Sequence, residues 1–169
     1  MKSVSQNFSL YAVGLFFAIL TSALADENKK AVPSEVIVIV TMNVIEGNSK
    51  QHIAEFTQKY PEFVDKTEPD TLGWSYHQSG NKVTLIERYK NEEANINTAK
   101  NISPGGIRNQ LLKDQLKIFS IEKVTVFGGF TRKLIDFNSM TAEKLQFKFP
   151  FEYNPIISGT SKNAKWFAA

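Results

Sequence analysis

The chain has 169 residues, 20 Lys and Arg against 17 Asp and Glu for a formal charge of +3, and no cysteine. That length fits one domain with its own core, and the near-balanced, interspersed charges exclude nucleic acid or another polyanion as the expected partner. The lack of cysteine excludes disulfides, thiol nucleophiles and thiolate metal sites.

Lys2 and the amino terminus, the apolar run Leu10–Leu20 and the small-x-small triplet Ala23-Leu24-Ala25 ahead of Asp26 have the layout of a secretory signal peptide. The expectation is export to the periplasm or beyond, cleavage after Ala25 and no stable membrane insertion, since the apolar run is shorter than the roughly 20 residues that span a bilayer. After a polar leader, Val36-Ile-Val-Ile-Val40 is a β-branched run that predicts a strand reaching about Val44. Asn48 or Ser49 then caps a helix whose apolar stripe is Ile53, Phe56, Tyr60, Phe63 and Val64, with a kink or break expected at Pro61 and an end at Glu68-Pro69-Asp70.

Leu72–Gln78 and Val83–Tyr89 alternate on either side of Ser79-Gly80-Asn81, which predicts a β-hairpin. Asn91 followed by Glu92 and Glu93 starts a second helix with Ala94, Ile96, Ala99 and Ile102 on its apolar face. Pro104-Gly105-Gly106 interrupts it, with a mobile loop expected there, before a helical stretch carrying Ile107, Leu111, Leu112 and Leu116. Ser120–Phe127 alternates as a fourth strand that Gly128-Gly129 ends. In the tail, a short helix over Arg132–Phe137 and a Phe-rich strand over Leu145–Phe151 are expected.

The order β-α-β-β-α-β is the split βαβ arrangement of an α+β domain: an antiparallel sheet with helices on one face and a second face needing cover from elsewhere. The domain is expected over residues 35–128, after a signal peptide at 1–25, with 129–169 a C-terminal extension that packs on the domain or on a partner subunit.

Glu46-Gly47, Glu68-Pro69-Asp70-Thr71-Leu72-Gly73, Ser75-Tyr76-His77-Gln78-Ser79, Leu85-Ile86-Glu87-Arg88-Tyr89 and Asn91-Glu92-Glu93-Ala94 follow one another at a spacing that resembles the antibiotic biosynthesis monooxygenase (ABM) family, including its quinol monooxygenases. The resemblance covers Glu35 to Phe127. It implies a ferredoxin-like protomer that pairs through its sheet into a dimeric α+β barrel, and oxygenation of an electron-rich aromatic without flavin or metal. The chain departs from the family at Thr98, where many relatives carry a histidine, and at Asn95, where leucine is usual. Without that histidine, haem binding is not expected, although Asn43 resembles the strand-one asparagine of haem-degrading relatives.

Such chemistry asks for a dry pocket, a base and donors for an oxyanion. His77 is the candidate base, because an ordinary histidine titrates near neutrality; Asn43 and Arg88 are candidates to hold a substrate oxygen. Trp74 and Tyr76 are candidate walls for a flat ligand, yet strand alternation sets them on the face opposite His77. A hydrogen-bonded strand histidine, an exposed polar strand end, a cross-strand ion pair at Arg88 and packed core aromatics are the structural alternatives. Glu87 and Arg88 point to opposite faces and are not expected to pair. The two histidines, His52 and His77, lie on different elements, so no metal site is expected, and the resemblance implies no other cofactor. The leading expectation is an exported, homodimeric, cofactor-independent monooxygenase acting on a quinol or anthrone. The rivals are a non-catalytic dimeric module that binds a small molecule or responds to stress, and a ligand-free assembly domain.

Overall fold

The computed structural model describes residues 34–157; the expected signal peptide lies outside them. β1 (Val36–Val44) runs through the middle of a five-stranded sheet of order β2-β3-β1-β4-β5, formed with β2 (Thr71–Ser79), β3 (Lys82–Tyr89), β4 (Phe119–Gly128) and β5 (Phe151–Pro155). The first four strands pair antiparallel, and with α1 (Lys50–Thr67) and α2 (Glu92–Ile102) they make the expected ferredoxin-like α+β fold. α3 (Asn109–Ile118) and α4 (Arg132–Lys144) complete the helices.

Alternation assigns the two faces of the sheet. Val36, Val38, Val40 and Met42 of β1 and Val83, Leu85, Glu87 and Tyr89 of β3 are buried, while Ile37, Ile39, Thr84, Ile86 and Arg88 between them are only half-buried. α1 buries Ile53, Phe56, Tyr60 and Val64, and Ser49 caps it, its Oγ accepting from the His52 N–H at 3.1 Å. Asn91 caps α2 in the same way, accepting from the Ala94 N–H at 3.0 Å.

Three local expectations are corrected. α1 continues through Pro61 to Thr67, which overturns the expectation of a break there. Proline removes one backbone bond there, and the core contacts of Tyr60 and Val64 on either side outweigh that loss. The Pro104-Gly105-Gly106 segment is tied down: Arg108 N–H donates to Asn101 O at 2.9 Å and Asn109 Nδ2 to Ile102 O at 2.7 Å. A Cβ on Gly106 would sit 2.2 Å from Asn101 O, so the chain closes only because this residue has none.

In the tail, α4 is a full 13-residue helix, and the strand falls on Phe151–Pro155, not on Leu145–Phe151. Leu145 ends α4 and Gln146 turns left-handed (φ 55°), which spends the first part of the Phe-rich run on a reversal. β5 then pairs parallel to β4, the one parallel pairing in an otherwise antiparallel sheet.

Candidate functional site

A cavity of about 100 Å³ lies on the helix-covered face of the sheet. Its floor is Val38, Val40, Val124 and Val126; α2 contributes Asn95, Thr98 and Ala99; α4 contributes Asn138 and Thr141; and Phe147, Phe149 and Phe151 close it. Trp74, Tyr60, Glu87 and Arg108 form the remaining wall. The site is thus built by the core domain and the segment after it together.

Glu87 takes a core position in the alternating run Val83, Leu85, Glu87, Tyr89 and is buried with it. Burial raises its carboxyl to a pKa of about 7, against the opposing pull of the Tyr89 hydroxyl, which donates to Oε2 at 2.6 Å, and of the Arg108 charge. Arg108 is the N-cap residue of α3 and is fully buried. Its Nε lies 2.8 Å from Glu68 Oε1, an ion pair off the line of the N–H bond and so a charge contact more than a directed hydrogen bond. Its guanidinium carbon lies 4.9 Å from the Trp74 ring centre and 5.6 Å from that of Tyr60, and those two rings stack 5.3 Å apart. Burial opposes the Arg108 charge, but Tyr60, Tyr89, Glu68 and Glu87 around it outweigh that and hold its pKa above the ordinary value.

Glu68, at the C-cap of α1, neutralises this arginine and gathers three elements. Its Oε2 accepts from Thr98 at 2.6 Å and Thr71 at 3.3 Å, and its Oε1 accepts from Asn101 at 2.8 Å. Thr98, the departure from the family histidine, thus orients a buried carboxylate. Asn95, the other departure, accepts from Asn138 Nδ2 of α4 at 3.3 Å, a buried polar link between α2 and α4. Burial also raises the phenols of Tyr60, Tyr76 and Tyr89, which keeps them protonated at neutral pH.

The residues singled out from sequence divide between the two faces. Trp74 lines the cavity, across the strand pair from Glu87. Tyr76 shares that face but packs beside the site, stacked on Phe119. His77, Asn43 and Arg88 are on the opposite face, and nothing brings them together. His77 is exposed, its Nε2 3.0 Å from Ser75 Oγ. Asn43 donates to Glu122 Oε1 at 2.6 Å, and Arg88 Nε donates to Glu35 Oε1 at 2.6 Å, an ion pair.

Sequence reasoning passed over Glu68, Arg108 and the burial of Glu87. The signals were present: Glu87 interrupts a period-two apolar run, and the buried stripe Leu112, Gln115, Ile118 extends back one helical turn onto Arg108. Among the described residues there is no cluster of three or more side chains suited to a metal ion, and no helix long and apolar enough to cross a membrane.

The fold is shared with a solved structure. The crystal structure of MupZ from Pseudomonas fluorescens superposes with a TM-score of 0.54 at 16% identity, over 76% of this chain and 94% of that one. The structural-genomics protein YJCS aligns with a TM-score of 0.43 at 16% identity, over 55% of this chain and 96% of its own. No protein-family model and no curated protein matches the chain.

Proposed function

We propose that the chain is a cofactor-independent oxygenase of the ABM type that oxidises a single-ring quinol with dioxygen, and that Glu87, not His77, is its base. The observation that carries this is a carboxyl with a pKa of about 7 in a buried aromatic cavity beside a buried arginine. A base poised near neutrality is half ionised at working pH and strong enough to share a phenolic proton. Arg108 offsets the phenolate charge that forms, and the dry wall of valines and phenylalanines strengthens that attraction.

The phenolate passes an electron to dioxygen, the ring radical and superoxide join through a new C–O bond, and the O–O bond then breaks. One oxygen stays on the ring as a carbonyl, the ring loses two hydrogens, and the second oxygen leaves as water with the proton that Glu87 had taken. The cavity volume favours small substrates: about 100 Å³ is near the roughly 150 Å³ that holds one benzene ring, and far below the size of a three-ring anthrone.

We propose further that the protein is exported, on its amino-terminal signal pattern, and that it dimerises through the open face. Ile37, Ile39 and Ile86 are half-buried there, Phe127 is exposed, and no described helix packs over them. The test of activity is dioxygen uptake with hydroquinone and with anthrone, without added flavin or metal. Uptake with hydroquinone alone, abolished in Glu87→Gln, is the expected result. No uptake above the buffer rate with either compound overturns the reading in favour of a non-catalytic binding module on the same fold.

A further inference from the structure

Several hydrogen-bond donors in the cavity wall are buried without a partner. Arg108 turns only its Nε toward a carboxylate; Nη1 and Nη2 are buried without an acceptor, and the buried indole N–H of Trp74 makes no well-directed hydrogen bond, although the Tyr76 hydroxyl lies near it. The guanidinium carbon lies 4.9 Å from the Trp74 ring centre, so the guanidinium and the indole are neighbours on one wall of the site. The carboxylates nearby are already engaged: Glu68 receives Thr98, Thr71 and Asn101, and Glu87 receives Tyr89. Buried donors left unpaired lose their hydration with nothing in return.

Placement on the helix adds to the imbalance. Arg108 is the N-cap residue of the ten-residue α3, with no side-chain cap. The dipole there favours negative charge beside the Arg108–Glu68 pair.

We propose that the cavity receives a small aromatic carboxylate, its two oxygens taking the Arg108 and Trp74 N–H groups and its ring lying along the Trp74 and valine walls. A carboxylate is acceptor-only and matches the planar fork of a guanidinium with two parallel bonds. A phenolic hydroxyl brings one oxygen and a donor of its own, and leaves most of the fork empty. This rests on the cavity being the substrate site, and it narrows the substrate to a ring that carries an acid at one end and an oxidisable hydroxyl near Glu87. Glu87, largely protonated at pH 6, adds little repulsion there.

The test is calorimetric titration of the full chain at pH 6 with benzoate, with its neutral near-isostere benzamide and with hydroquinone. Benzoate is expected to bind at least tenfold tighter than benzamide. In Trp74→Phe, which keeps a ring and removes the indole donor, that ratio is expected to shrink severalfold, with the melting temperature measured alongside to show that the variant is folded. Benzoate binding with the expected ratio supports the proposal whether or not hydroquinone binds. Benzamide binding as tightly as benzoate, or an unchanged ratio in folded Trp74→Phe, overturns it. Hydroquinone binding without benzoate overturns this proposal and leaves the quinol reading standing; no binding of any of the three overturns both.

Discussion

The two faces of the sheet carry ionisable groups under opposite conditions. On the open face, Lys82 and Asn43 meet Glu122 with water at hand, and Arg88 meets Glu35 in a half-buried pair, all near the ends of strands. On the covered face, Glu68, Arg108 and Glu87 sit among aromatic rings with almost no exposure. Exposed pairs exchange one set of hydrogen bonds for another and contribute little, while buried charges either find partners or raise the energy of the whole fold. Residue type alone pointed to His77, Asn43 and Arg88 as chemistry; the buried carboxyl with a raised pKa lies on the opposite face, at Glu87.

The sharpest way to break this contrast is to remove one partner of the buried pair. Glu68→Gln leaves the Arg108 charge without its counterion, and a loss of about 3–5 kcal/mol in chemical denaturation is expected. Arg108→Met combined with Glu68→Gln should recover much of that loss, because no uncompensated charge remains.

Glu87 gives the next effect, and it depends on pH. Its carboxyl titrates at 4.5 unperturbed and at about 7 in the folded chain, so folding favours the protonated form. The stability that this adds is complete below about 4.5 and disappears as pH rises through about 7, on the order of 3 kcal/mol in total. Stability measured across that window should fall in the natural chain and fall less in Glu87→Gln; parallel curves would show that Glu87 titrates normally.

A third contrast concerns assembly. Ile86→Lys puts a charge in the apolar patch of the open face, and light scattering at micromolar concentration should show the mass drop from dimer to monomer. The smallest effect is expected at His77. Its exposed ring touches Ser75 alone among the hydrogen bonds of the described residues, so His77→Ala should change stability by no more than about 0.5 kcal/mol and leave dioxygen uptake intact. A turnover loss of a hundredfold with unchanged stability would return the base to His77.

Much of the architecture was legible because it rests on local patterns. The alternation in Val36–Val44 and Val83–Tyr89, the Asn91 cap and the Ser79-Gly80-Asn81 turn each specify their element within a few residues. Pro61 misled because the cost of a missing backbone bond is local, whereas the packing that offsets it comes from strands distant in sequence. The tail misled for a related reason: a run of phenylalanines is compatible with a strand anywhere along it, and only the left-handed Gln146 sets where pairing with β4 begins. Of the site, Trp74 was legible from its bulk and strand position. Arg108 was not, since a cation beside Pro-Gly-Gly reads as a solvated loop residue until the stripe of α3 is traced back to it.

The wall that Phe147, Phe149 and Phe151 give to the cavity runs from the segment after α4 into the start of β5, in the last described stretch of chain. Occupancy of the cavity and docking of that stretch are therefore linked equilibria: an undocked tail leaves the ligand without a wall, and the apparent affinity is scaled by the docked fraction. By reciprocity, a ligand held against those three rings slows local opening of α4 and β5, so amide hydrogen exchange there becomes a gauge of binding.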